Sequence, residues 1–517
     1  MNNLNELLDK SVEKFSKRIA LIYGQKKISY ESLKECIDKV ATGLQSLDVK
    51  KGERVAILLN NCPEFVISYF AIQRCGATVV PINHMFKSEE VKYILEDSLA
   101  CSLITSTGYL DMALQLNLRI DSLKHIVTIT KTKDHVSSLN DWIKAEIKSP
   151  QTVQVQPQDA AVILYTSGTT GHPKGAVLTH GNLISNALAC VKAIKANRKD
   201  SFICFLPLFH SFAVTVCMLM PIASGARIVL MRSARPFKRF LRSIRKNKVS
   251  IFTGIPSVYN ILSEIKLPFF LKWPIIRILN PVRLCISGAA ALPVETLKKF
   301  ESKFRTPLLE GYGLTEASPV VSLNPIKGKR KAGSVGLPLS GVEVKVVNED
   351  GKDAPIGEPG ELLVRGPNVM REYFQLPDAT RETLKEGWLF TGDIAKMDSE
   401  GYAFIVDRKK DMVNVRGLNV YPREIEEVLY QNPKVKEAAI VGIKDPHRGE
   451  IPKGFVVLKD GQSADGQELI HFLRQRMASY KVPHRIEFKD SLPKNTTGKI
   501  LKRVLKDEEE SKIKIRR

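Results

Sequence analysis

The 517-residue chain has no Cys-x-x-Cys pair. Its eight cysteines, Cys36, Cys62, Cys75, Cys101, Cys190, Cys204, Cys217 and Cys285, are scattered. That spacing argues against a zinc site and a disulfide framework, and it fits a reducing cytosol. No apolar run is long enough to cross a bilayer: the longest, residues 212–226, is short and contains Pro221 and Gly225. Residues 1–6 lack a basic segment followed by an apolar one, so no secretory signal is expected. There is no short internal repeat and no low-complexity tract. Acidic residues are scarce, 55 against 78 Lys and Arg, for a net charge of +23. Such a surplus attracts polyanions: nucleotides, anionic lipid or nucleic acid. A lineage with generally lysine-rich proteins explains it equally well.

The length allows more than one domain. Residues 1 to about 150 alternate between helix and strand patterns. Residues 54–59 are a continuous apolar run, the mark of a strand buried on both faces, and 77–81 are another. Residues 31–47 and 63–76 read as helices between such runs. This alternation predicts βαβ units and a parallel sheet, and it continues through residues 200–340. Residues 340–405, rich in Gly, Pro and short β-prone runs, predict an antiparallel sheet or small barrel. Composition shifts at Asp407-Arg408-Lys409-Lys410-Asp411. The expected fold is α/β: a large N-terminal domain, 1–407, of βαβ-type parallel sheets plus a small barrel, then a small mobile α+β C-terminal domain, 408–517. The charged tail from Lys506 reads as a solvated end.

The most informative stretch is Thr166-Ser167-Gly168-Thr169-Thr170-Gly171-His172-Pro173-Lys174-Gly175. It follows an apolar run at 160–164 and precedes a helix-like segment starting near 179–182. Glycines let backbone N–H groups turn inward, hydroxyls add donors and the lysine adds charge, so the loop suits phosphate. It is not a Walker A loop, because Pro173 precedes Lys174 and Gly175 follows it. A flexible linker would use the same residues but rarely lies directly between a strand pattern and a helix. In Gly311-Tyr312-Gly313-Leu314-Thr315-Glu316, an aromatic between glycines suits stacking on a planar ring. Thr315 suits a phosphate and Glu316 suits Mg²⁺; a tight turn would also use the two glycines. Asp393, after Thr391-Gly392, can accept two hydroxyl hydrogens, as a ribose requires. Lys499 follows a Thr-Thr-Gly turn and can be aimed outside its own module. His210 ends a strand-like run at 203–210, where a lone histidine is more often core than catalyst.

Residues 236–248 show two stripes at helical spacing. Phe237, Phe240, Leu241 and Ile244 form the apolar face; Arg235, Arg239, Arg242 and Lys246 form a basic one. A solvated surface helix is the ordinary reading; contact with anionic headgroups or an acidic carrier is the sharper one. Residues 267–279 mix apolar and basic residues around Trp273, as a buried connection or an interfacial patch would.

Five stretches in one order, 166–175, 311–316, 391–393, 407–426 and 493–502, resemble the adenylate-forming superfamily of acyl-CoA synthetases, luciferases and peptide-synthetase adenylation domains. The resemblance spans essentially the whole chain and is greatest to bacterial fatty acyl-CoA ligases. It implies that a medium- to long-chain acid, ATP and coenzyme A are converted to acyl-CoA, AMP and diphosphate through an acyl-adenylate. It implies that Thr166, Ser167, Gly168, Thr169, Thr170, Gly171 and Lys174 hold the β/γ-phosphates. Gly288, Ala289 and Ala290, with Glu310, Gly311, Tyr312 and Gly313, would frame the adenine. Thr315 would touch phosphate, Glu316 would hold Mg²⁺, and Asp393 and Arg408 would bind ribose. Lys499 would bridge carboxylate and α-phosphate, Lys410 would be the hinge, and Arg416, Gly417 and Leu418 would face the CoA channel. His210, Ser211, Phe212, Val214, Gly288 and Gly313 would line the acyl pocket, with His210 positioning and gating. The Gly288-Ala289-Ala290 run leaves space there, which favours a fatty acid. The implied partners are fatty acid, ATP and CoA, with anionic membrane at 235–248 and 267–279, a homodimer left open and no specific nucleic acid. The implied location is cytoplasmic, or peripheral on the inner face of the membrane. An acyl-AMP ligase loading a carrier protein, an aryl acid–CoA ligase and a non-enzymatic nucleotide-binding regulator are the alternatives.

Overall fold

The structure, a computed structural model, describes residues 1–133, 136–146, 149–166, 173–265, 280–415, 418–445, 449–495 and 498–515. Its two large sheets have parallel centres; the first is antiparallel at one edge and the second at both. In the first, strands Thr78–Pro81, Arg54–Leu58, Ser102–Thr105 and His125–Thr128 run parallel. Val55 to Leu58 are completely buried, as the unbroken apolar run predicts for a strand covered on both faces. Helix Pro63–Arg74 packs on it, and helix Tyr30–Ser46, started by a Ser29 side-chain cap, packs in turn on that helix.

In the second sheet, Ser201–Cys204, Ile251–Gly254, Leu284–Ser287 and Leu308–Gly313 are parallel neighbours. The hairpin Ile19–Tyr23 and Lys26–Ser29 closes its far edge, pairing parallel with Arg227–Leu230. The 203–210 run is therefore strand only to Cys204, and His210 caps the short helix that follows.

Residues 343–408 form the expected antiparallel sheet, centred on the long strand Trp388–Met397. Thr391, Gly392 and Asp393 lie inside that strand at a register shift, not at a separate turn. The last sheet pairs Val435–Asp445 with Gly449–Leu458. Helices Pro422–Tyr430 and Gly466–Arg474 bury Ile425, Leu429, Leu469 and Leu473 on one face.

Three further expectations are corrected. The glycine-rich loop does not lead directly into a helix. Strand Lys174–Thr179 returns antiparallel to Ala160–Thr166, and Thr179 caps helix His180–Ile194 only after it. The tail from Lys506 is not a solvated end: helix Lys502–Ile515 inserts Leu505 into the core, and Glu509 pairs with buried Lys453 at 2.5 Å. In helix Phe237–Lys246, Phe240 and Ile244 are buried, but Leu241 is 40% exposed among the basic residues. Segment 267–279 lies outside the described residues. All eight cysteines are free thiols. Among the described residues no helix is long and apolar enough to cross a membrane.

Candidate active site

The ends of both large sheets and the long antiparallel strand meet at a cleft of about 780 Å³. Thr166 and Lys174 are paired residues at the mouth of the glycine-rich hairpin, and both line it. Ser167, Gly168, Thr169, Thr170 and Gly171 lie outside the described residues. Gly311, Tyr312, Gly313, Thr315 and Glu316 line the cleft from the end of strand Leu308–Gly313. Gly288 and Ala289 line it after strand Leu284–Ser287. Ala289 adopts φ +67°, a conformation rare for a residue with a side chain and typical of functional turns. Ala290 is half-buried next to this wall.

Glu310 supports the wall from behind, and Asp393 is flanked in the strand by Gly392 and paired with Arg408, both of which line the cleft; each carboxylate is 3% exposed. The Tyr312 hydroxyl donates to Asp393 Oδ2 at 2.5 Å, and Arg408 Nε lies 2.8 Å from Oδ1. Asp393 thus fixes the aromatic and the guanidinium of the expected adenine and ribose sites together. Glu310 accepts the Leu292 N–H at 3.0 Å, and its other oxygen is buried without a hydrogen-bond partner. Burial pushes its carboxyl up to about 7. Glu310 is therefore a supporting group rather than a face of the cleft.

Lys499 enters this cleft from the C-terminal module. Gly498, at φ +75°, makes that approach: a Cβ there would stand 2.8 Å from Ile255 Cδ1 of the large module. Asn495 Oδ1 accepts the Lys499 N–H at 2.9 Å. Solvent reaches the lysine side chain, yet crowding by protein, then by Arg408, lowers its ammonium to about 8. Asp393 and Asp411 oppose that shift. Lys410 is exposed, and partial desolvation, followed by Arg408, lowers it too. Arg423 braces the same interface: its N–H donates to Asp407 Oδ2 at 2.8 Å and its guanidinium to the Ile405 carbonyl at 2.7 Å. Leu418 is half-exposed and does not line this cleft; Arg416 and Gly417 lie outside the described residues.

The cleft continues into an apolar arm formed by Cys190, Ile194, Val216, Met220 and Ile286. Val214, expected in its wall, is fully buried in the core instead. Segment Val214–Leu219 winds as a π-helix, whose wide turn brings Val216 and Met220, four residues apart, to the cleft. The space expected opposite Gly288 is taken by Phe212, whose Cζ would stand 2.8 Å from a Cβ on that glycine. Any side chain at 288 would have to push this ring aside. Ser211 Oγ lies 3.3 Å from Thr315 Oγ1, which ties the mouth of the arm to the polar end. His210 Nδ1 accepts the Phe212 N–H at 3.3 Å, and burial lowers its imidazole to about 4. It is neutral near pH 7 and positions the Phe212 turn.

Glu316 is half-buried, with the Tyr373 hydroxyl donating to Oε1 at 2.8 Å. Among the described residues no three His, Cys, Asp or Glu groups cluster as a metal cage. Mg²⁺ needs none, since it keeps water and phosphate oxygens as ligands beside one or two carboxylates, so Glu316 fits it. Tyr373, Arg423, Val216 and Met220 were not foreseen. Only Val216 and Met220 carried a sequence signal, their apolar spacing four residues apart.

The family model for AMP-binding enzymes matches residues 8–374, and that for the AMP-binding enzyme C-terminal domain matches 424–499. A long-chain-fatty-acid–CoA ligase of Bacillus subtilis (strain 168) is 36% identical over 540 residues, covering 98% of this chain and 94% of that one. The anthranilate CoA ligase AuaEII, solved in complex with anthranoyl-AMP, superposes with a TM-score of 0.91 at 30% identity, covering 98% of this chain and 97% of that one. ATP-bound MatB from Rhodopseudomonas palustris gives 0.90 at 30% identity, covering 98% and 99%.

Proposed function

Because the chain belongs to the AMP-binding enzyme family, we propose that its cleft joins a medium- to long-chain fatty acid to coenzyme A at the expense of ATP. The chain is an acid–thiol ligase. The support that weighs most is the continuity of one cleft, from Thr166, Lys174, Thr315, Glu316 and Lys499 at its polar end to Cys190, Ile194, Val216 and Met220 in its apolar arm. The polar end suits a nucleotide triphosphate and the arm suits an alkyl chain.

In the first step a carboxylate oxygen attacks the α-phosphorus of ATP, a P–O bond forms, and diphosphate leaves. Charge moves toward the leaving diphosphate, so fixed cations do more than any special nucleophile. In our assignment Lys174 and Thr166 hold the β/γ-phosphates, Thr315 holds the α-phosphate, and Lys499 bridges carboxylate and α-phosphate. Mg²⁺ bound with the nucleotide would rest on Glu316 and neutralise phosphate charge. Tyr312 stacks on the adenine, and Asp393 with Arg408 receives the ribose. In the second step the CoA thiol sulfur attacks the acyl carbon and AMP leaves. We divide the chain at 407/408: rotation about Lys410 withdraws Lys499 and brings residues 416–418 to the pantetheine channel.

The test is AMP release from ATP, Mg²⁺ and palmitate, with and without CoA. CoA-dependent AMP release is expected. Diphosphate release without a CoA response would replace this reading with a carrier-protein ligase, and turnover confined to benzoate-type acids would replace it with an aryl ligase.

We also propose that the basic helix contacts anionic membrane. Phe240 and Ile244 anchor it, while Arg239, Arg242, Lys246 and Leu241 face outward. Each cation near an anionic surface is worth about 1 kcal/mol. Sedimentation with phosphatidylserine vesicles at low salt should carry down the native chain, and much less of an Arg239→Glu/Arg242→Glu variant. Equal sedimentation of the two would sink the idea.

A further inference from the structure

Tyr373 belongs to none of the motifs that mark the cleft, yet it touches two of them. It ends the short strand Glu372–Tyr373, which pairs antiparallel with Lys174–Thr179, the strand that leaves the glycine-rich hairpin. The Phe374 N–H donates to the Gly175 carbonyl at 2.7 Å, and the Arg371 N–H to Val177 at 3.0 Å. A few residues earlier the same segment reaches the other large sheet. The Met370 N–H donates to the Glu316 carbonyl at 2.8 Å, and Asn368 Nδ2 to Ala317 at 2.9 Å. Residues 368–374 therefore clasp the phosphate hairpin to the turn that carries Thr315 and Glu316.

Tyr373 is the side chain at the centre of that clasp, 7% exposed. Its hydroxyl donates to Glu316 Oε1 at 2.8 Å, and its ring lies 5.3 Å from Lys174 Nζ. One rigid side chain thus holds a carboxylate by its tip and an ammonium by its face, two groups of opposite charge from different sheets.

We propose that Tyr373 is a positioning residue for the metal–nucleotide complex: it orients Glu316 toward the divalent cation and Lys174 toward the phosphates. The inference rests on the reading of the cleft as a Mg²⁺·ATP site. A cation that keeps most of its water gains little from a wandering carboxylate, so a fixed carboxylate rotamer matters more than added charge. An aromatic ring that only sealed the sheet edge would pack as well without its hydroxyl.

Two variants separate these roles, read by calorimetric titration of ATP at varied Mg²⁺ with no acid present. Tyr373→Phe keeps the ring and should melt like the native chain. It should need about tenfold more Mg²⁺ for half-maximal ATP binding, the loss expected for one hydrogen bond to a charged group. In turnover, KM for Mg²⁺·ATP should rise while kcat at saturating Mg²⁺ holds. Tyr373→Leu should also lose ATP affinity at saturating Mg²⁺, because Lys174 then lacks its ring. A Tyr373→Phe protein with native Mg²⁺ dependence overturns the positioning role alone. A native chain that binds no ATP, or binds it without response to Mg²⁺, overturns the nucleotide reading and this inference with it.

Discussion

Lys499→Ala is expected to slow acyl-adenylate formation about a thousandfold, the scale of removing one preorganised charge-stabilising donor. Thioester formation from supplied acyl-adenylate and CoA should be nearly unchanged, because a lysine withdrawn by rotation takes no part in that step. Separate assays of diphosphate release and of thioester formation check this, and equal loss in both steps would remove Lys499 from its assigned role. The lysine's environment adds a pH signature. Crowding in the cleft and Arg408 place its ammonium at about 8 in the ligand-free protein. Only the protonated form carries the charge, so kcat/KM should fall as pH rises through about 8. The phosphates of bound ATP stabilise the cation, so the fall in kcat should lie at higher pH. Lys499→Arg should move the kcat/KM limb upward, since a guanidinium does not titrate there.

Asp393→Ala should raise KM for ATP about a hundredfold and cost about 3 kcal/mol of stability. The two effects have separate sources. Two ribose hydroxyls donating to one carboxylate are worth about 1.5 kcal/mol each at the low end for charged acceptors, which together is about a hundredfold. The stability loss arises because Arg408 would face Tyr312 with no counter-charge; removing one partner of a buried pair typically costs about 3–5 kcal/mol, and the part-exposed guanidinium puts this pair at the low end. Asp393→Asn, which keeps the shape, should recover much of the stability and less of the affinity. Melting curves and ATP saturation curves read the two effects independently. A native KM in the alanine variant would exclude Asp393 from the ribose site.

Much of this arrangement could be read before the fold was seen, wherever local chemistry suffices. The buried strand Arg54–Leu58 is an unbroken apolar run, and helix Pro63–Arg74 starts at a proline and stops just before Gly76, within the expected 63–76. Motif residues such as Thr315, Glu316 and Lys499 converge because each ends a strand or turn aimed at one point. Other features depend on partners far away in the chain. Strand Lys174–Thr179 begins immediately after the glycine-rich loop and was hidden by the helix signal behind it. Tyr373 resembles any strand tyrosine until Glu316 and Lys174 arrive from elsewhere. Val214 and Val216 cannot be ranked from spacing alone when the helix is underwound to a wider turn. In helix Lys502–Ile515 the charges outnumber the apolar residues, and Leu505 with the Glu509–Lys453 pair is what docks it.

The hairpin at the start of the chain closes the edge of the second large sheet against Arg227–Leu230. Seen from the ribosome, this is a delay. The central strands of the first sheet lie between residues 54 and 179 and can pair as they emerge. Strand Ile19–Tyr23 has no parallel neighbour until some two hundred further residues are made, roughly ten to forty seconds at ordinary rates of synthesis. Through that interval its apolar residues Ala20, Leu21 and Ile22 are an unfilled sheet edge, the kind of surface chaperones bind. The chain's first strand thus finds its parallel neighbour only after the central strands of the first sheet have all been made.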